Sequence, residues 1–166
     1  MRSQKYDMVW TGYPHLEQIR KWDDGRPVYK LLTSFSIFIR CNKTGISRWY
    51  TIPQGYEYDN ASIPRFAWPI FHPADARWSV AAILHDWLYA AEWCPKKQAD
   101  DMFLCAMYKG GTPAVHRATM YAAVAIVGGV HYRQHRLENI MSERALSKID
   151  DNHRPLVSDL LNWSQV

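Results

Sequence analysis

The chain has 166 residues, of which 48% are hydrophobic and 22% charged, so it is long enough to bury a core and too apolar to be disordered. Its net charge of +4 permits contact with an anionic surface but does not require it. Its three cysteines, an odd number without the spacing of a metal motif, indicate reduced thiols of a protein made in a cytosol.

Residues 1–55 are predicted to be mainly strands. Residues 6–10 are a short candidate, and residues 22–27 have the composition of a turn. Residues 28–41 are rich in β-branched and aromatic side chains, and their second half alternates apolar and polar residues, which is the period of a half-buried strand. Residues 42–45 predict a hairpin turn, and residues 46–52 predict the partner strand.

Most of the remaining chain is predicted to be helical. A short helix is expected after Ser62, and apolar spacing at i, i+3 and i+4 predicts a long helix over residues 74–93. A second helix is expected over residues 95–109. A third, over residues 113–136, is apolar nearly all round and is expected to form the buried centre of the helical half. A final short helix is predicted at residues 156–163.

These elements predict an α+β fold, in which a small antiparallel sheet packs on a bundle of about four to five helices. We expect a single domain over residues 1–166, with a helical core at 62–136 and a C-terminal helical arm at 137–166. The longest apolar run, residues 118–130, is too short to span a bilayer, so no transmembrane segment is expected.

Two polar residues in the helical half predict a buried site. His85 lies on the apolar stripe of the first long helix, and Asp100 lies beside the apolar edge of the next. Because the segment between these helices is short, we expect an antiparallel hairpin in which Asp100 faces His85. A carboxylate there orients an imidazole and raises its basicity, as in hydrolases and metal sites. Alternatively, His85 only packs and donates to a backbone carbonyl.

Asp86 and Asp59 complete the candidate cluster. Asp59 follows the sheet just before a helix start, and it is either a catalytic carboxylate or a turn or cap residue. Together, Asp59 and Asp86 suit a divalent cation, calcium or magnesium rather than zinc, because oxygen ligands prevail and the His-Glu-x-x-His motif is absent.

Three further residues are expected to support this cluster: Ser62, Arg65 and Tyr89. Ser62 is predicted to be a helix cap rather than a nucleophile, since no nucleophile elbow surrounds it. Arg65 is expected to pair with Asp59 or Asp86, or alternatively to bind an anionic substrate. Residues 133–148 mix basic side chains with glutamates, which predicts a solvated helix face and makes nucleic acid an unexpected partner.

Three motifs follow one another between residues 55 and 107. They are Gly55-Tyr56-x-x-Asp59-x-Ala61-Ser62-Ile63-Pro64-Arg65, His85-Asp86-x-Leu88-Tyr89 and Ala99-Asp100-x-x-Phe103-x-x-Ala106-Met107. In this order the motifs resemble an uncharacterised family of tailed-bacteriophage and prophage proteins, a domain of unknown function. The resemblance implies synthesis in the cytoplasm of a host bacterium and incorporation into the virion, with other virion proteins, further copies of the chain or a host envelope component as partners.

The segment His85-Asp86-x-x-Tyr89, with Asp100 on the following helix, is also similar to the core of secreted calcium-dependent phospholipases. This second resemblance implies that His85 activates water, Asp86 binds calcium and Asp100 orients His85. The glycine-rich calcium loop and the disulfide framework of those enzymes are absent from this chain.

Our first hypothesis is therefore a phage-encoded, virion- or tail-associated protein whose His85, Asp86, Asp100 and Asp59 bind a divalent cation and support hydrolysis of a cell-envelope component. The alternative is a purely structural or adaptor protein, in which the same residues form a stabilising hydrogen-bond network. Its 14% aromatic content, more than a small core needs, favours an assembly role. A third hypothesis is a binder of small molecules or nucleic acid inside the infected host.

Overall fold

A computed structural model describes residues 5–21, 25, 27–58, 76–131 and 149 of the chain. These residues form an α+β fold of six strands and three helices: β1 (Tyr6–Val9), β2 (Leu16–Lys21), β3 (Pro27–Leu31), β4 (Phe35–Cys41), β5 (Ser47–Ile52), β6 (Glu57–Tyr58), α1 (Ala76–Ala91), α2 (Lys96–Lys109) and α3 (Ala114–His131). The predicted α+β class is confirmed. The described part has three helices rather than the expected four to five, and the strands extend past residues 1–55, because β6 follows them. The helices expected after Ser62 and at residues 156–163 lie outside the described residues.

The first sheet has the strand order β1-β4-β5, with both pairs antiparallel. Phe35, Ile37 and Ile39 are buried while the residues between them are more exposed, which confirms the alternation in the sequence. The predicted hairpin turn is also present: the N–H of Gly45 donates to the carbonyl of Cys41 at 2.8 Å. Gly45 has a φ of +72°, a conformation that glycine adopts without steric cost.

The second sheet has the order β2-β3-β6 and was only partly predicted. The apolar stretch at residues 28–41, expected as one strand-like region, is split between β3 and β4, which belong to different sheets. The backbone leaves β3 after Leu31, whose N–H donates to the carbonyl of Tyr56 at 2.9 Å. Strand β2 was missed because it is an edge strand with no buried residue, so its sequence lacks the apolar alternation of a core strand.

Helix α1, rather than α3, is the buried centre of the helical half. Most of its side chains are inaccessible, including Trp78, Leu84 and Trp87. Helix α2 packs against α1, α3 and β1. The expectation for α3 is wrong: Val115 and Ile126 on this helix are 73% and 80% exposed. Apolar composition indicated burial, but α3 lies at the edge of the described helices. None of those helices combines the length and apolarity needed to cross a membrane.

The junction at the end of α2 fixes how the helices meet. Gly110 ends α2, as its position after Lys109 predicted. A Cβ atom on Gly110 would lie 2.4 Å from the backbone carbonyl oxygen of Arg77, so the close approach of α1 requires glycine here. Thr112 adds a hydrogen bond from its hydroxyl to the same carbonyl at 3.0 Å. The antiparallel α1–α2 pair that this junction closes is the scaffold of the predicted site.

Candidate active site

His85 and Asp100 meet across the α1–α2 interface. The Nε2 atom of His85 lies 3.0 Å from Oδ1 of Asp100, and the two side chains are 12% and 5% exposed. The apolar stripes of both helices position these residues, since each polar side chain sits among buried neighbours that fix the rotation of its helix. The predicted contact is confirmed, while the catalytic roles of the two residues stay a prediction.

Asp100 accepts hydrogen bonds from three side chains. Besides His85, the hydroxyl of Tyr89 donates to Oδ1 at 2.5 Å, and the ammonium of Lys96 donates to Oδ2 at 2.7 Å. Burial raises the pKa of Asp100, but the hydrogen bonds from His85, Lys96 and Tyr89 outweigh it and lower the pKa to about 2. Asp100 is therefore ionised at neutral pH.

The ionised Asp100 fixes the tautomer of His85. Because a carboxylate only accepts hydrogen bonds, Nε2 of His85 must carry the proton that the pair shares. In the neutral imidazole the lone pair then lies on Nδ1, for which the described contacts include no hydrogen bond. The ring packs against Tyr89 and Phe103, with centroids 4.0 and 4.7 Å away. These contacts hold the imidazole in place. Because Nε2 carries the proton, Nδ1 is the nitrogen that can accept one.

Lys96 is a partner that the sequence analysis missed. Its ammonium bridges Asp100 and the backbone carbonyl of Val124, at 2.7 and 2.9 Å, and so ties the site to α3. The i, i+4 spacing of Lys96 and Asp100 on one helix was the available signal.

Asp86 faces the sheet rather than Asp100. The hydroxyl of Tyr56 donates to Oδ2 of Asp86 at 2.6 Å. Because neighbouring residues of an α-helix point about 100° apart, Asp86 lies on a different side of α1 from His85. Tyr56 is fully buried and packs edge-on against Trp87, with centroids 5.0 Å apart. Burial and the charge of Asp86 raise the pKa of Tyr58, whose buried hydroxyl has no hydrogen-bond partner among the described residues. The structure thus places Asp86 in a separate cluster with these two tyrosines.

Three of the predicted site residues, Asp59, Ser62 and Arg65, lie outside the described residues. Their proposed roles stay predictions. Within the described ranges, no group of three or more histidine, cysteine, aspartate and glutamate side chains is arranged to hold a metal ion. Of the predicted catalytic and metal-binding residues, the described part of the chain therefore contains the His85–Asp100 pair and, apart from it, Asp86.

The buried thiols near the site are poor nucleophiles. Burial, followed by the charge of Asp100, raises the pKa of Cys94 to about 12, and burial raises the pKa of Cys105. A thiol attacks as the thiolate, so neither cysteine is activated near neutral pH. The chemistry that the site offers is general acid–base chemistry at His85.

Asp101 is held in a structural network. Its carboxylate accepts hydrogen bonds from Lys5 at 2.7 Å, Tyr121 at 3.0 Å and Lys97 at 3.3 Å. Burial raises the pKa of Asp101, but these bonds, led by that from Lys5, lower it overall. The network joins α2 to the segment before β1 and to α3, so the two adjacent aspartates serve different contacts.

One family model matches the chain. It is described as Protein of unknown function (DUF1353), and it matches residues 36–124, more than half of the chain and a region that includes both His85 and Asp100. No curated protein and no solved structure is similar enough to count as a match.

Proposed function

We propose that this chain, which belongs to the DUF1353 family, is a hydrolase in which His85 is the general base and Asp100 orients it. The observation that carries the proposal is the contact of 3.0 Å between Nε2 of His85 and an ionised Asp100. This arrangement leaves Nδ1 of the imidazole as the proton acceptor.

In the proposed reaction, Nδ1 of His85 takes a proton from a water molecule as its oxygen attacks the electrophilic centre of the substrate. The imidazolium then returns this proton to the leaving group, so the base is regenerated and one water is consumed for each bond broken. Asp100 stays ionised throughout the reaction and stabilises the imidazolium. The ammonium of Lys96 already compensates the negative charge of Asp100, so we assign the carboxylate mainly a positioning role.

The activity test uses His85→Gln in the full chain. The glutamine amide can still donate to Asp100, but it has no nitrogen that takes up a proton. We expect wild-type protein to release soluble fragments from purified sacculi or free fatty acid from phospholipid vesicles, and His85→Gln to lose activity at least about 100-fold. The matched control is His116→Gln, a half-buried histidine on α3 that contacts Trp78. Equal loss in both variants, or no loss in His85→Gln, would contradict the proposal.

The proposal also includes a phage origin and a place in the virion or tail, with an envelope component as substrate. The resemblance of the three ordered motifs to tailed-phage proteins supports this part. Mass spectrometry of purified particles from a lysogen that encodes the chain should detect it at a constant ratio to the major tail proteins. Its absence from the particles would exclude the virion role and would not bear on the proposed role of His85.

A divalent cation, calcium or magnesium, is a further part of the proposal, with Asp86 and Asp59 as its ligands. The partly buried carboxylate of Asp86 has the oxygen chemistry that these cations prefer. No step of the proposed reaction depends on the cation. Elemental analysis after dialysis against calcium or magnesium should find bound cation in wild type and less in Asp86→Asn, and equal trace content in both would reject this part.

The alternative function is structural. The observation that favours it is that Asp100 is 3% exposed and accepts three hydrogen bonds, as a carboxylate that locks two helices together would. It predicts a wild-type protein without activity on either probe and a large loss of stability in Asp100→Ala. Turnover by wild type that is lost in a stably folded His85→Gln would exclude it.

A further inference from the structure

We propose that two adjoining clefts at the end of the α1–α2 pair bind an anionic glycan. The larger cleft, about 360 Å³, lies between β1 and α2, and Asp7 and Tyr108 are among its lining residues. The smaller, about 260 Å³, is lined by Trp10 and Tyr13 together with the first residues of α1. Lys109 lines both clefts, so one cation lies at their junction.

The clefts present aromatic surface to solvent. Tyr13 is 64% exposed and Tyr108 is 51% exposed, although residues of this size are usually more buried. Flat apolar rings exposed beside a concave surface are suited to stack on a ligand ring.

Positive charge accompanies these rings. The ammonium of Lys109 lies 5.2 Å from the ring centroid of Trp10, and the guanidinium of Arg117 lies 4.7 Å from that of Tyr108. Arg77 also lines the smaller cleft. A ligand that stacks on the tyrosines and carries a phosphate or carboxylate would meet both kinds of contact at once.

Glycans and single-stranded nucleic acids both combine rings with anionic groups, and Asp7 favours a glycan. Asp7 is one of the residues that line the larger cleft, and its carboxylate accepts a hydrogen bond from Asn42 at 3.1 Å. A carboxylate repels the regularly spaced phosphates of a nucleic acid, whereas it accepts hydrogen bonds from sugar hydroxyls. The clefts therefore favour a glycan with isolated acidic groups over single-stranded nucleic acid.

This inference rests on the proposed function, because it names the class of envelope polymer that the hydrolase would hold. The clefts are nevertheless distinct from the proposed catalytic pair. Lys109 follows Asp100 by about 14 Å of helix, so binding can be measured without hydrolysis.

The test is calorimetric titration of the full chain with soluble glycan strands of bacterial peptidoglycan, an amino-sugar polymer that carries carboxylates. We expect Lys109→Gln to weaken binding roughly tenfold and Tyr13→Ala roughly fivefold. The matched controls are Lys43→Gln in the hairpin turn and Trp49→Ala on β5. Trp49 is 65% exposed, close to the value for Tyr13, and neither control residue lines the clefts. Both controls should bind as wild type does.

The inference is overturned if wild type does not bind the glycan, if Lys109→Gln and Tyr13→Ala bind it as tightly as wild type does, or if an oligothymidylate binds more tightly than the glycan. Its failure is distinguishable from that of the proposed function. Glycan binding that Lys109→Gln and Tyr13→Ala weaken, without any turnover by wild type, rejects the hydrolase and supports the cleft. Turnover that depends on His85, with no effect of the cleft substitutions on binding, rejects the cleft alone.

Discussion

Asp100 is nearly inaccessible and yet ionised, because it accepts hydrogen bonds from His85, Tyr89 and Lys96. A buried anion without such partners would be protonated or would destabilise the fold. The three donors come from both α1 and α2, so they meet around Asp100 only in the folded state. The lowering of the Asp100 pKa to about 2 therefore means that folding favours its charged form.

The pKa of Asp100 predicts acid sensitivity with a definite sign. Because the folded-state value of about 2 is below the ordinary 3.8, the ionised group stabilises the fold above pH 3.8, and this contribution is lost as the pH falls towards 2. The contribution is on the order of 2 kcal/mol. In urea unfolding between these pH values, the difference in free energy of unfolding between wild type and Asp100→Asn should shrink as the pH falls. A difference that stays constant would contradict the assignment.

Lys96 and Lys97 provide a matched comparison along α2, because each forms an i, i+4 ion pair with the aspartate four positions ahead. The side chain of Lys96 is 23% exposed and also binds the carbonyl of Val124 on α3, whereas that of Lys97 is 75% exposed. Lys96 thus joins α2 to α3 through a partly buried ammonium, in addition to the hydrogen bond from Tyr121 to Asp101, while Lys97 reaches Asp101 from the surface.

The difference in burial predicts unequal effects of the same substitution. Lys96→Met removes a donor from a buried carboxylate and should lower the free energy of unfolding by roughly 2 kcal/mol. Lys97→Met should change it by less than about 1 kcal/mol, because an exposed ammonium contributes little and Asp101 keeps its hydrogen bonds from Lys5 and Tyr121. Urea unfolding at neutral pH measures both values. Similar losses in the two variants would show that Lys96 does not link the helices as described.

Gly110 and Gly111 predict a second contrast at the α1–α2 junction. Gly110→Ala places a Cβ 2.4 Å from the carbonyl oxygen of Arg77 and should cost about 3 kcal/mol, since backbone must move. Gly111 has a φ of +79° and open space around it, so Gly111→Ala should cost only about 1 kcal/mol through the left-handed conformation. Thermal unfolding of both variants tests this order, and a smaller loss for Gly110→Ala would contradict the close approach.

The sequence predicted the elements whose determinants are local. The α1–α2 hairpin and the His85–Asp100 contact followed from apolar spacing and from the short connection that ends at Pro95. Contacts between distant segments could not be predicted in this way. The exposure of α3 depends on which elements cover it, which its apolar composition does not specify.

The partner of Asp86 escaped prediction for the same reason. Tyr56 directly precedes β6 and reaches Asp86 only because this part of the chain packs on α1. The sequence offered one signal, a tyrosine next to a strand end whose buried hydroxyl would need an acceptor, but it did not identify the acceptor. Thirty residues of chain separate the two partners.

Among the described residues, the pair proposed for proton transfer lies apart from the clefts proposed for binding. The His85–Asp100 pair lies between α1 and α2, Asp86 faces the sheet, and the two clefts lie beside Lys109 at the end of α2. Rigid helix packing holds the imidazole, whereas exposed rings and cations line the clefts. This separation is consistent with the proposal that the chain binds a polymer with one region and hydrolyses it with another.

The central claim is that Asp100 holds the proton of the neutral His85 ring on Nε2 and leaves Nδ1 as the base. Nitrogen-15 NMR of the histidine rings at about pH 9, where imidazoles are ordinarily neutral, measures the tautomer directly. His85→Gln identifies the resonances of His85 by their loss. We predict a protonated Nε2 and an unprotonated Nδ1 in wild type. A proton on Nδ1, with Nε2 bare beside Asp100, would contradict the account.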